Sequence, residues 1–194
     1  PVRPRRQLPA ADRARAQRLA LLHWHFYERF TGAHTHWLVP DNFQQDPTPD
    51  VAMRTSPTNI GLQLLAIVSA RDLGFITTAE MTRRLELAVR TMDQLARFKG
   101  HFFNWYELHE LRVLEPAYIS TVDSGNLAGH LLAVKQACLA AAGEPAGDPL
   151  ALAALRTALT LCLERVQTAE SALPHAFAGG PPPPGRCARV TCAI

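Results

Sequence analysis

Asn104, Trp105 and Tyr106 stand together in His101-Phe102-Phe103-Asn104-Trp105-Tyr106, a grouping suited to holding a sugar. A pyranose offers an apolar C–H face to an aromatic ring and a rim of hydroxyls to amides, and aromatics with polar tips supply both contacts. The same group could instead plug the end of a helical bundle, and for Phe102 and Phe103 core packing is the expected role. Two more polar clusters lie on either side in sequence. Asp41, Asn42 and Arg54 bracket one loop, where the arginine either holds Asp41 in a bidentate pair or meets substrate hydroxyls directly. Asp123, Ser124 and Asn126 fall in Tyr118 to Leu131. Asp123 reads either as a helix N-cap or as a ligand-contacting carboxylate, since one oxygen can cap while the other points outward.

Other chemistries fit poorly. His23, His25, His34 and His36 are spaced two apart on different faces, and no Cys or Glu completes a zinc set, so no metal is expected. Glu107, Glu110 and Glu115 are carboxylates in plenty, but glycoside chemistry needs two acids about 5–10 Å apart and their spacing predicts no such pair. Gly125 and Gly129 are expected to let helices approach closely and not to cradle phosphate. Neither metal nor cofactor is called for.

Helices must position these loops. A first helix is expected over about Ala10 to Phe30, where Leu19, Leu22, Phe26 and Phe30 recur at helical spacing. A loop rich in Pro, Asp and Asn follows, from Thr31 to Thr55. Ser56 as N-cap and Pro57 at the first helical position start a second helix, which Gly74 stops. Its residues Ile60, Leu62, Leu64, Leu65, Ile67 and Val68 surround the axis, the pattern of a buried helix. The third helix opens on Thr77-x-x-Glu80 and carries one stripe, Met81, Leu85, Ala88/Val89, Met92 and Leu95, as an outer helix would. The fourth, about Asp123 to Ala142, repeats the buried pattern and ends at Gly143. The fifth is expected from Asp148-Pro149 to about Ala172.

Helices alternating outer and inner, joined by short turns, run antiparallel. Loops 31–55 and 98–122 and the start of the fourth helix then share one end of the bundle. Helices two and four should be the most buried and lie side by side, with one, three and five outside them. The fold class is all-α: antiparallel helix hairpins forming part of an (α/α)6 toroid.

The net charge of +3 is concentrated at the ends. Residues 1–18 carry six Arg against one Asp and the tail adds Arg186 and Arg189, so removing that +5 and +2 leaves residues 19–185 at −4. A nucleic-acid binder places its basic residues on the folded body, so no nucleic-acid partner is expected. Cys138, Cys162, Cys187 and Cys192 show no Cys-x-x-Cys spacing, and a reducing compartment is the simpler reading. No 18-residue apolar stretch is free of charges, so no transmembrane segment is expected. The chain begins with Pro1 and is expected to be a piece of something longer, divided into a basic extension (1–18), a partial barrel (19–172) and a Pro-rich irregular tail (173–194). Pro181 to Ile194 has no helical period; it reads as a flexible tail or as a premature end to the natural frame.

With these motifs in view, the chain resembles the central region of bacterial cyclic β-1,2-glucan synthases from about Trp24 to about Val134. The matching segments are His36 to Gln44, Arg54 to Leu62, Ala70 to Ile76, Gly100 to Tyr106 and Ser120 to Leu131. The resemblance implies a large inner-membrane enzyme in which an (α/α)6 barrel, facing the cytoplasm, transglycosylates linear β-1,2-glucan into a ring. This chain looks like the opening portion of that barrel, with β-1,2-glucan and the remainder of the parent polypeptide as partners. The family's acid/base and nucleophilic carboxylates align downstream of Ile194, so no catalytic residue is assigned here. Substrate-binding candidates are Asp41, Asn42, Arg54, Asn104, Trp105, Tyr106, Asp123 and Asn126. A helical-repeat interaction module and a truncated, inactive product are the alternatives.

Overall fold

A computed structural model of the chain describes residues 8–144 and 151–177. In it α1 (Ala10–Phe30), α2 (Pro57–Asp72), α3 (Thr78–Gln94), α4 (Thr121–Ala142) and α5 (Ala151–Phe177) alternate with loops holding six two-residue strands. The chain divides into two compact units, Pro1–Thr157 and Ala158–Ile194, and the site lies in the first.

α2 is the hub of that unit. Ser56 caps it, its Oγ accepting from Asn59 N at 3.2 Å, with Pro57 following, and the chain leaves through Gly74 at φ 76°, as the residue types predict. Ile60, Leu64, Ile67, Val68 and Ala70 are buried along it. Gln63 is buried too: its Oε1 accepts from Val39 N at 2.8 Å and its Nε2 donates to Trp37 O at 2.7 Å. A carboxamide in the core thus pins the loop after α1, whose Leu38 and Val39 are themselves buried.

α3 lays its predicted stripe on the core, with Met81, Leu85, Ala88 and Met92 buried. Glu80 joins it to the neighbouring aromatics. Its carboxylate accepts from Arg83 and Arg84 at 2.7–2.8 Å, and those guanidinium groups sit over Trp37 (4.8 Å) and Trp24 (5.3 Å) respectively. At the far end of the bundle Arg71 bonds Thr78 Oγ1, Asp72 and Glu144, tying the close of α2 to the chain beyond α4.

α4 departs from expectation. It lies side by side with α2, as predicted, but Leu127 is its one buried residue, whereas α3 buries five. Val122, Leu132 and Leu139 are 69%, 64% and 60% exposed. One face meets α2 and much of the remainder is exposed, so its all-round apolarity is not matched by burial. Between α3 and α4 an open apolar groove of about 450 Å³ is floored by Leu64 and walled by Met81, Leu85, Leu131, Val134 and Cys138. The helical glycines also differ from expectation. A Cβ on Gly125 or Gly129 would meet nothing within 4 Å, while one on Gly61 would lie 2.2 Å from His130 Nδ1; the close approach belongs to Gly61.

α5 runs past the expected end to Phe177, with Leu152, Leu155, Leu159 and Leu163 exposed. Its expected cap at Asp148-Pro149, residues 1–7 of the basic extension and the tail from Ala178 lie outside the described residues.

Candidate functional site at the near end of the bundle

Small strands bring the distant loops together. β1 (Phe43–Gln44) and β2 (Asp50–Val51) form a hairpin, and β4 (Arg97–Phe98) turns through Lys99 and Gly100, both at positive φ, into β5 (His101–Phe102). Decisive for the site is β3 (Arg54–Thr55), which pairs with β6 (Tyr106–Glu107), placing Arg54 opposite Glu107 and Thr55 opposite Tyr106. Leu108 N donates to Met53 O at 3.0 Å and extends the pairing. Loops up to 53 residues apart in sequence (54 to 107) become one platform.

That platform sits over the N-termini of α2 and α4. Ser120 caps α4, its Oγ accepting from Asp123 N at 3.1 Å, so Asp123 is not the cap but the third residue of the helix. Both helices start here: Asn126 Nδ2 donates to Thr58 Oγ1 at 3.2 Å across them. Their parallel dipoles turn positive ends toward the site and favour the two carboxylates gathered there.

Asp41 organises one side. Its Oδ2 accepts from Arg54 Nε (3.2 Å) and Nη2 (3.1 Å) and from Asn42 Nδ2 (3.1 Å), while Oδ1 accepts from Asn59 Nδ2 at 2.9 Å. Arg54 therefore holds Asp41 in an ion pair, the first of the two alternatives read from sequence, with two N–H groups on a single carboxylate oxygen. The guanidinium then lies 4.7 Å over the ring of Trp105, covering one of its faces.

Asn104 organises the other side and is buried. Its amide orientation follows from its neighbours, since only one choice avoids setting carbonyl against carboxylate. In that orientation Nδ2 donates to Asp123 Oδ2 at 2.9 Å, and Oδ1 accepts from Trp105 Nε1 and Tyr118 Oη, each at 2.7 Å. Its backbone N donates to Tyr118 O at 2.9 Å. One carboxamide fixes an indole, a phenol and a carboxylate at once.

Tyr106 has a different place from the one expected. It is fully buried; its hydroxyl donates to Ala96 O and accepts from Phe103 N, both at 2.7 Å, and burial raises its pKa. It supports the loop and cannot touch a ligand. The glutamates of this loop are likewise committed to it. Partial burial pushes the Glu107 carboxyl up, but the backbone N–H groups of His109 (2.6 Å) and Glu110 (2.9 Å) outweigh it and hold the pKa below its ordinary value. Glu110 pairs with Arg112 at 2.7 Å and Glu115 accepts from Ala117 N at 2.8 Å.

Of the eight residues singled out from sequence, Asp41, Asn42, Arg54, Trp105, Asp123 and Asn126 come together at this end, Asn104 links them from below, and Tyr106 lies in the core. Thr58, Asn59 and Tyr118 join them. Asn59 and Thr58 could have been found as polar residues in the first turn of a buried helix, and Tyr118 as the opening aromatic of the second polar stretch. No group of three or more His, Cys, Asp or Glu side chains among the described residues could hold a metal ion.

A partial α/α toroid with a polar, aromatic end is the class this fold and site define. The fold alone is shared with solved structures of glucoamylase-like proteins: one from Bacteroides fragilis NCTC 9343 (TM-score 0.53, 20% identity, 68% of this chain and 32% of that one) and one from Bacteroides caccae ATCC 43185 (TM-score 0.54, 24% identity, 73% and 34%). In sequence the chain is 48% identical over 122 residues, 63% of its length, to the cyclic β-(1,2)-glucan synthase NdvB of Rhizobium meliloti (strain 1021), and it spans about 4% of that protein. The resemblance drawn from the motifs therefore stands, as a resemblance to a small segment of a far longer polypeptide. No protein-family model matches the chain.

Proposed function

We propose that this chain supplies part of the glucan-binding groove of a cyclising transglycosylase barrel in a cyclic β-1,2-glucan synthase-like polypeptide. The observation that carries the reading is the convergence of Asp41, Arg54, Trp105, Asp123 and Asn126 over the paired helix N-termini. Carboxylates and amides held this way accept and donate to sugar hydroxyls, and the uncovered side of Trp105 meets a C–H face. Asp41 is held by a guanidinium and two amides, and Asp123 by an amide. Such ties suit orienting a substrate more than relaying protons, and the acid/base and nucleophile belong to the remainder of the parent polypeptide.

The same reading accounts for α4. Its uncovered apolar face and the groove beside α3 are where the barrel continues, as expected of a chain spanning 32–34% of its toroid neighbours. Loops of unlike length and build argue against a repeat array. As part of the parent, the barrel faces the cytoplasm at the inner membrane; no helix among the described residues is long and apolar enough to cross a membrane. Calorimetric titration of the chain with linear β-1,2-glucan tests the reading. Binding that is weakened about tenfold by Arg54→Ala and by Asp123→Asn supports it; undetectable binding, or binding indifferent to both substitutions, refutes it.

A further inference from the structure

Trp105 is the obvious platform for a sugar ring, but the Arg54 guanidinium already covers one of its faces and Asn104 holds its edge. The neighbouring aromatic is better presented. Tyr118 is 47% exposed, yet it is anchored twice to the buried Asn104, through its hydroxyl at 2.7 Å and through its carbonyl at 2.9 Å. A surface tyrosine without a task has no need of a buried carboxamide to fix it. Here the hydroxyl is fixed by that amide, which also donates to Asp123 Oδ2 at 2.9 Å, and the residue stays half exposed just before the first turns of α4, which carry Asp123 and Asn126.

Resting on the glucan-binding reading above, we infer that the Tyr118 ring is the stacking platform for one glucose residue of a β-linked glucan, with Asn104 as its positioning residue. An aromatic fixed in advance loses little rotational freedom on binding, so its contact area is turned into affinity. Asp123 and Asn126 beside it would take hydroxyls of the same sugar. The hydroxyl of Tyr118 serves Asn104 and not the ligand.

The chain and its variants are titrated with a linear β-1,2-glucan oligosaccharide, following affinity by calorimetry and the Tyr118 ring protons by NMR. Tyr118→Ala should weaken binding about tenfold and Tyr118→Phe less than about threefold, because the ring and not the hydroxyl carries the contact. The ring protons of the unsubstituted chain should shift upfield or downfield on saturation, a readout needing no variant. Unchanged affinity in Tyr118→Ala with unmoved ring protons overturns the inference and leaves the glucan reading intact. Equal losses in Tyr118→Ala and Tyr118→Phe also overturn it, since a hydroxyl contact would then be the source. If the unsubstituted chain fails to bind the oligosaccharide at all, the glucan reading itself falls, and this inference with it.

Discussion

Gly61 on α2 and His130 on α4 meet so closely that a Cβ on the glycine would lie 2.2 Å from the imidazole Nδ1 and 3.1 Å from His130 Cβ. The severe contact is with the ring, and swinging the ring away still leaves His130 Cβ at 3.1 Å, so relief needs a new rotamer and a small shift of the helices. Gly61→Ala should therefore separate the two helices and destabilise the unit by about 1–3 kcal/mol, outweighing the helix-propensity gain. Urea unfolding of the single variant and of Gly61→Ala with His130→Ala checks this: the second change should recover much of the loss.

Gly125 and Gly129 predict the opposite sign. With open space at both, replacement by Ala should stabilise the 194-residue chain by about 0.5–1 kcal/mol per site through helix propensity alone. If the barrel continues over this face, the same substitutions in the longer parent should lose that gain or reverse it. Paired unfolding measurements in the two contexts distinguish a filled face from an open one.

The leucines of α4 and α5 predict self-association. Leu132, Leu139, Leu155 and Leu163 are each more than half exposed, and soluble monomers rarely leave such surfaces bare. Sedimentation of the chain should show concentration-dependent association, reduced by Leu132→Lys with Leu139→Lys. A monodisperse monomer at all concentrations would count against the uncovered face of α4.

What was legible in the sequence was local. The caps Ser56 and Thr77, the stop at Gly74 and the stripe of α3 are each set by residues within a turn or two, and they stand where expected. Asp123 was placed on the right helix, but Ser120 three residues earlier takes the cap, which frees the Asp123 carboxylate for Asn104. The pairing of β3 with β6 was not legible, since two-residue strands show no period. Nor was the exposure of α4: apolarity on every side states that a helix suits burial, not that its cover lies among the described residues.

Glu80 gives a pH dependence. Its hydrogen bonds from Arg83 outweigh the cost of burial, and with those from Arg84 lower its pKa from 4.5 to about 2. A carboxylate with a depressed folded pKa contributes stability above its unfolded value and loses it as pH falls through the folded one. The stability difference between the native chain and Glu80→Gln should be about 1 kcal/mol at neutral pH, given the partial exposure of the group. It should shrink between pH 4.5 and about 2. Urea titrations across that range check it; a difference that is constant with pH would mean that the Arg83 and Arg84 contacts do not depend on the charge.

The glucan site is tested most directly by the indole N–H signals of the ¹⁵N-labelled chain as linear β-1,2-glucan is added. Three tryptophans report on three places: Trp105 in the near-end cluster, Trp24 beneath Arg84, and Trp37 beneath Arg83. The Trp105 signal, whose N–H is bound to Asn104, should shift progressively to saturation while the other two stay in place, and neither cyclic product nor new reducing ends should accumulate in the same sample. Movement of Trp24 or Trp37 with Trp105 unmoved, or turnover abolished by Asp123→Asn, would contradict a glucan-orienting site at this end of the bundle.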